Sequence, residues 1–209
     1  MVVQQRGAER ARRAADFRYF RHVAKAEFDR CAREDRLHKK ISDLADLCVV
    51  LGSRDGPADD RIVDVFYRIR TPAVDDATSR GPTESGEPRL EYVLQDDAAV
   101  LCWLYPPKSN SRPWREDAIL LAQIREPKVL TGWTVLGRHR RALQSYFEVR
   151  GVDGRPTIND RLRIWWLLFT RQTIVKGHAA RPVWLRALKW AVVVVLVVGL
   201  SGWLAHLLQ

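Results

Sequence analysis

Trp190-Ala-Val-Val-Val-Val-Leu-Val-Val-Gly-Leu-Ser-Gly-Trp-Leu-Ala-His-Leu-Leu208 contains no Asp, Glu, Lys or Arg. As a helix rising ~1.5 Å per residue it would cover about 28 Å, close to the hydrocarbon thickness of a bilayer. A buried core helix is the competing explanation, but such helices seldom exceed about 14 residues without a polar face. The run therefore predicts one C-terminal transmembrane helix. Trp184, Trp190 and Trp203 lie near its ends, where indole rings favour the headgroup region, and they are the expected membrane anchors.

Basic residues on the N-terminal flank set the orientation. Arg171, Lys176, Arg181, Arg186 and Lys189 precede the run and only Gln209 follows it, so the positive-inside bias expects a cytoplasmic N-terminus and lipid-facing cations at these five positions. The arrangement is that of a single-pass, tail-anchored membrane protein with the bilayer as a partner. Ser201 and Ala205 form a small-xxx-small pair, which makes homo-oligomerisation through the transmembrane helix a further expectation.

Working back from the anchor, residues 156–177 hold a second apolar segment. Ile158, Leu162, Trp165, Trp166 and Phe169 recur at helical spacing, with Thr157 or Asn159 as N-cap and Asp160 in the first turn. The apolar run from Ile164 to Phe169 is too short to span. Two readings stay open: an amphipathic helix lying in the membrane interface, or a core helix of the domain.

At the other end, residues 1–51 read as a basic helical arm. Phe17, Phe20, Ala24, Phe28 and Cys31 form one apolar stripe at spacings of three or four, and Leu37, Ile41, Leu44 and Cys48 form another. Positions 1 to 40 carry 12 basic and six acidic residues, a surplus of six within the chain's +10. A solvated face, anionic lipid and nucleic acid would all accept that charge; nucleic acid is disfavoured because no recognition motif accompanies it.

Residues 52–155 read as a strand-rich cytoplasmic domain with a mobile loop at 71–89. Strands are expected at Ile62–Arg70, Glu91–Gln95, Ala98–Tyr105, Ala118–Ile124, Val129–Leu136 and Leu143–Arg150. The last of these alternates with a period of two, and Ala118–Ile124 could equally be a helical turn. Short connections favour antiparallel pairing. The expected fold class is α+β: an N-terminal helical arm, a five- or six-stranded antiparallel sheet or small barrel, an amphipathic helix, and the anchor at 184–208.

Composition limits the chemistry. A chain of 209 residues with 46% hydrophobic and 29% charged content is ordinary for a globular domain. Cys31, Cys48 and Cys102 are widely spaced, which suits a reducing compartment better than a disulfide framework. No phosphate loop, His-Glu-x-x-His, Cys-x-x-Cys or nucleophile elbow is present, so no catalytic residue, cofactor or metal is expected and the chain is not read as an enzyme. Arg138, His139, Arg140 and Arg141 fall at an expected hairpin end. There they form either a solvated basic turn or an anion site for phosphate or a nucleotide.

Two functions fit these parts. One is a binding or adaptor module at the membrane, with a protein partner. The other is a membrane-disrupting or oligomerising effector with a ligand-sensing β domain. In its order of parts, though in no motif residue, the chain looks like the membrane-tethered effectors of bacterial antiphage signalling.

Overall fold

Helix α1 (Val2–Glu34) opens the computed structural model, which describes residues 2–34, 41, 44–53, 59–70, 87–107, 116–150, 156–180, 182 and 184–185. Ala and Arg dominate α1, both strong helix formers, and no proline interrupts it. Its five-residue stripe from Phe17 to Cys31 is buried, and the Phe side chains are fully so. Residues 5–12 are exposed. Arg12 and Arg13 both reach Glu126, at 3.0 Å, and tie the free half of α1 to the far end of the sheet.

Seven antiparallel strands follow in strict meander order: β1 (Ala45–Leu51), β2 (Ile62–Ile69), β3 (Arg89–Leu94), β4 (Val100–Tyr105), β5 (Ala118–Ile124), β6 (Thr173–Val175) and β7 (His178–Ala180). The β3–β4 connection is tight. Gln95 and Ala99 close it by backbone hydrogen bonds, with Ala98 in the left-handed region at φ 61°. Lys176 and Gly177, both at positive φ, make the two-residue turn between β6 and β7, the geometry a twisted hairpin prefers.

The sheet's inner face carries Val63, Val65, Tyr67, Leu90, Tyr92, Val100, Cys102, Leu104 and Ile119, all buried. Against it pack α1, a short 3-10 helix (Pro127–Thr131) and α2 (Trp133–Arg150). Helix α3 (Ile158–Thr170) lies on α2 and buries Ile164. Of the two expected N-caps it is Thr157 that caps α3, in a reciprocal box with Asp160. Asp160 also accepts from Ser145 at 2.8 Å, and Arg163 donates to the same Ser145 hydroxyl at 2.8 Å, which joins α3 to α2. The opposite face of α3 stays open: Ile158, Leu162, Trp165 and Trp166 are exposed.

Several expectations need correction. Residues 129–136 and 143–150 are helical, not extended: the first spans the 3-10 helix and the start of α2, the second the end of α2. The period-two alternation from Leu143 to Val149 misleads because residues 142–148 are buried all round, so helical periodicity leaves no polar stripe. Residues 45–51, assigned to the helical arm, form β1, where Val49 and Val50 suit a pleated surface better than a helix. The expected strands at Ile62, Glu91, Ala98 and Ala118 are present with small shifts of boundary. β1, β6 and β7, the last two of three residues each, join the four expected strands to make seven, and the sheet is open, not a barrel.

The membrane topology is corrected as well. Among the described residues no helix is long and apolar enough to cross a membrane. Helix α1 is long but studded with arginine, α2 is committed to the core, and α3, at 13 residues, spans only about 20 Å. Trp190–Leu208, with Trp203, Ser201 and Ala205, lies outside the described residues, as do Arg181, Arg186, Lys189 and loop 71–86. The single-pass, tail-anchored reading is therefore set aside. The bilayer as partner, oligomerisation through a transmembrane helix, and the adaptor and effector schemes built on the anchor go with it.

Candidate functional site

On α2, Trp133, Gly137, Arg140 and Arg141 recur at spacings of three and four, so they share one side of the helix. That side faces the last turns of α1, where Cys31 and Glu34 complete a pocket of about 100 Å³. Gly137 is what keeps it open: a Cβ built there meets nothing within 4 Å. The volume exceeds the share of one liquid water, ~30 Å³, and falls below the ~300 Å³ of a drug-sized site. It suits a group of a few heavy atoms, such as a phosphate, sulfate or carboxylate.

Arg140 lies in the inner wall and is 1% exposed. Its Nη1 points to the Tyr67 hydroxyl and to Gln144 Oε1, 3.4 Å from each. Arg141 sits on the exposed rim. Two adjacent cations, one held in low dielectric, give the pocket a positive field that water screens poorly. Glu34 supplies one carboxylate, and exposed Trp133 supplies an indole at the mouth. Cys31 does not add charge. Burial pushes its thiol up, against the lowering influence of Arg140 and Arg30, so it stays protonated.

Behind the pocket is a second polar group, fully enclosed. The Tyr92 hydroxyl lies 3.0 Å from His139 Nδ1, and Cys102 Sγ lies 3.6 Å from the same nitrogen. Burial raises both Tyr92 and Cys102, so neither ionises near neutrality. Burial, reinforced by Arg138 and Arg171, lowers His139 to about 4. The phenol is therefore hydrogen-bonded to a neutral imidazole. A Cys-His pair of this kind lacks the thiolate that nucleophilic chemistry requires.

The outer face of the sheet holds a third cluster. Asp64 and Glu91 face each other across β2 and β3, an arrangement of like charges that is unfavourable by itself. Arg89 relieves it, 3.8 Å from Asp64 Oδ2 and stacked 4.7 Å from the Tyr105 ring centroid. Burial first, then the hydrogen bond with Glu91, pushes the Tyr105 phenol well up. These groups compensate one another within the sheet. Among the described residues no set of three or more His, Cys, Asp or Glu side chains could hold a metal ion.

The four-residue basic run of the sequence reading is thus split by the helix. Arg138 projects to solvent with its Nε on the Thr134 carbonyl at 3.3 Å, and His139 turns into the core. Arg140 and Arg141 alone converge on the pocket. Arg171 is the C-cap of α3, Lys176 lies in the β6–β7 turn, and Trp184 is exposed. Sequence reasoning missed Cys31, Glu34, Trp133 and Gly137. The helical spacing of 133, 137 and 141 carried the signal, and the strand assignment hid it. No protein-family model, curated protein or solved structure matches this chain.

Proposed function

We propose that the chain is a binding domain for a small oxyanion of phosphate size, taken between α1 and α2. The convergence of Arg140 and Arg141 on one pocket carries this reading. A planar guanidinium held in a fixed place is suited to two-point recognition of carboxylate or phosphate oxygens. Arg141 reaches the space from the exposed rim, and Arg140, held against Tyr67 and Gln144, lends its charge from within the wall. No activated nucleophile lines the pocket: Cys31 is protonated, His139 is enclosed behind it, and Glu34 is the one carboxylate among the lining residues. Binding rather than turnover is the function these groups support.

Filling the pocket tests the proposal directly. Gly137→Leu places a side chain in the open space without a clash at Cβ, and it removes a helix-interior glycine that costs about 1 kcal/mol relative to alanine. In the wild type, 10 mM inorganic phosphate raises the unfolding midpoint above that in chloride of equal ionic strength, as binding to the native state requires. Gly137→Leu folds and loses that difference. An equal phosphate response in both proteins, or none in either, refutes the pocket as an anion site.

A further inference from the structure

We infer that the anion is one end of a nucleotide: a phosphate joined through a hydroxyl-bearing sugar to an aromatic base. This rests on the pocket being an anion site and adds what the rest of the ligand is. The pocket's volume of about 100 Å³ takes the phosphate and little else, so the remainder must lie outside, along α2. Toward the helix start the pocket is lined by Gly137 and then by exposed Trp133, past which the ligand would emerge.

Trp133 lines the pocket and is 52% exposed, so an aromatic residue open to solvent stands beside it. From the Trp133 Cα to the Arg141 Cα is about 12 Å at 1.5 Å rise per residue, the reach of a mononucleotide from base to phosphate. A free indole takes a base by stacking, which is tolerant of base identity because every base has a π-face.

Glu34 supplies the second argument. In a pocket meant only for an inorganic anion, a carboxylate in the wall opposes the ligand's charge. A nucleotide resolves the conflict, because its sugar hydroxyls donate to a carboxylate while its phosphate meets the arginines. Base stacking, hydroxyl recognition and phosphate pairing would then fall to Trp133, Glu34 and the Arg140–Arg141 pair in turn.

Calorimetric titration of the full chain with inorganic phosphate, ribose 5-phosphate and adenosine monophosphate separates the claims. The wild type binds the nucleotide at least tenfold tighter than ribose 5-phosphate, since one stacked base is worth about 1–3 kcal/mol. Trp133→Leu loses that ratio, while Trp133→Phe keeps most of it. Glu34→Gln weakens both sugar phosphates and leaves inorganic phosphate as tight or tighter. If the nucleotide and ribose 5-phosphate bind the wild type equally while inorganic phosphate still binds, the nucleotide is refuted and the anion pocket stands. If inorganic phosphate does not bind, or binds Gly137→Leu equally well, the anion pocket fails and the nucleotide with it.

Discussion

Replacing His139 with asparagine should flatten the acid limb of the stability curve. The imidazole is 9% exposed, is hydrogen-bonded to Tyr92, and has Arg138 and Arg171 as the cations that oppose its protonation, so burial and these charges lower it to about 4 in the native state. In the unfolded chain it titrates near its ordinary 6.5. Above that pH it is neutral in both states and contributes nothing to pH dependence. Below it the unfolded chain takes up a proton that the native state refuses, so stability falls as pH falls, by up to ~1.4 kcal/mol per unit. The loss saturates near pH 4 at about 3 kcal/mol, a substantial share of the 5–15 kcal/mol typical of a domain. Asparagine keeps an uncharged acceptor for the Tyr92 hydroxyl and does not titrate. Urea unfolding followed by circular dichroism at steps between pH 7.5 and 4.5 should show the wild type losing about 2–3 kcal/mol more than His139→Asn over that interval. Acidic groups such as Asp160 contribute equally to both proteins and cancel. Parallel curves would refute the claim that the enclosed histidine is held neutral.

The remaining predictions concern the cap of α3 and the thiols. Thr157→Ala removes the acceptor for the Asp160 backbone N–H and should cost about 1 kcal/mol, read as a lower urea midpoint. Asp160→Ala should cost more, because it also strips the partner of the Ser145 hydroxyl. Of the three free cysteines, Cys48 is half-buried on β1 whereas Cys31 and Cys102 are buried. A colorimetric thiol titration should therefore count one fast-reacting thiol in the native protein and three in denaturant. Rapid labelling of Cys102 would contradict its place in the core.

Much of the architecture was legible where burial falls on one face of an element. The Phe17–Phe20–Phe28 stripe was read correctly because a partly solvated helix displays its period, and the start of α3 was narrowed to Thr157 or Asn159, of which Thr157 is the cap. β2 through β5 were read because turn residues punctuate them at short intervals. The reading failed at α2, whose C-terminal half is enclosed on every side, and a surrounded element has no polar face to reveal its geometry. That failure also concealed the pocket, which depends on 133, 137 and 141 being one helical turn apart. β6 and β7 are too short for any periodicity, and only Gly177 marks their turn. Net charge was misleading in a different way: the arginines of α1 that matter structurally are Arg12 and Arg13, which pair with Glu126 more than a hundred positions away.

The order in which the elements leave the ribosome puts the first helix at a disadvantage. Phe20 and Phe28 pack edge-on against Tyr92, and α1 closes over Leu130 and Leu136, so its aromatic stripe cannot be covered until those residues have been synthesised. At ~5–20 residues per second, roughly a hundred intervening positions take about 5–20 s. A nascent chain arrested before Leu130 would present three bare phenylalanines on a long charged helix, a natural substrate for a chaperone that grips apolar segments.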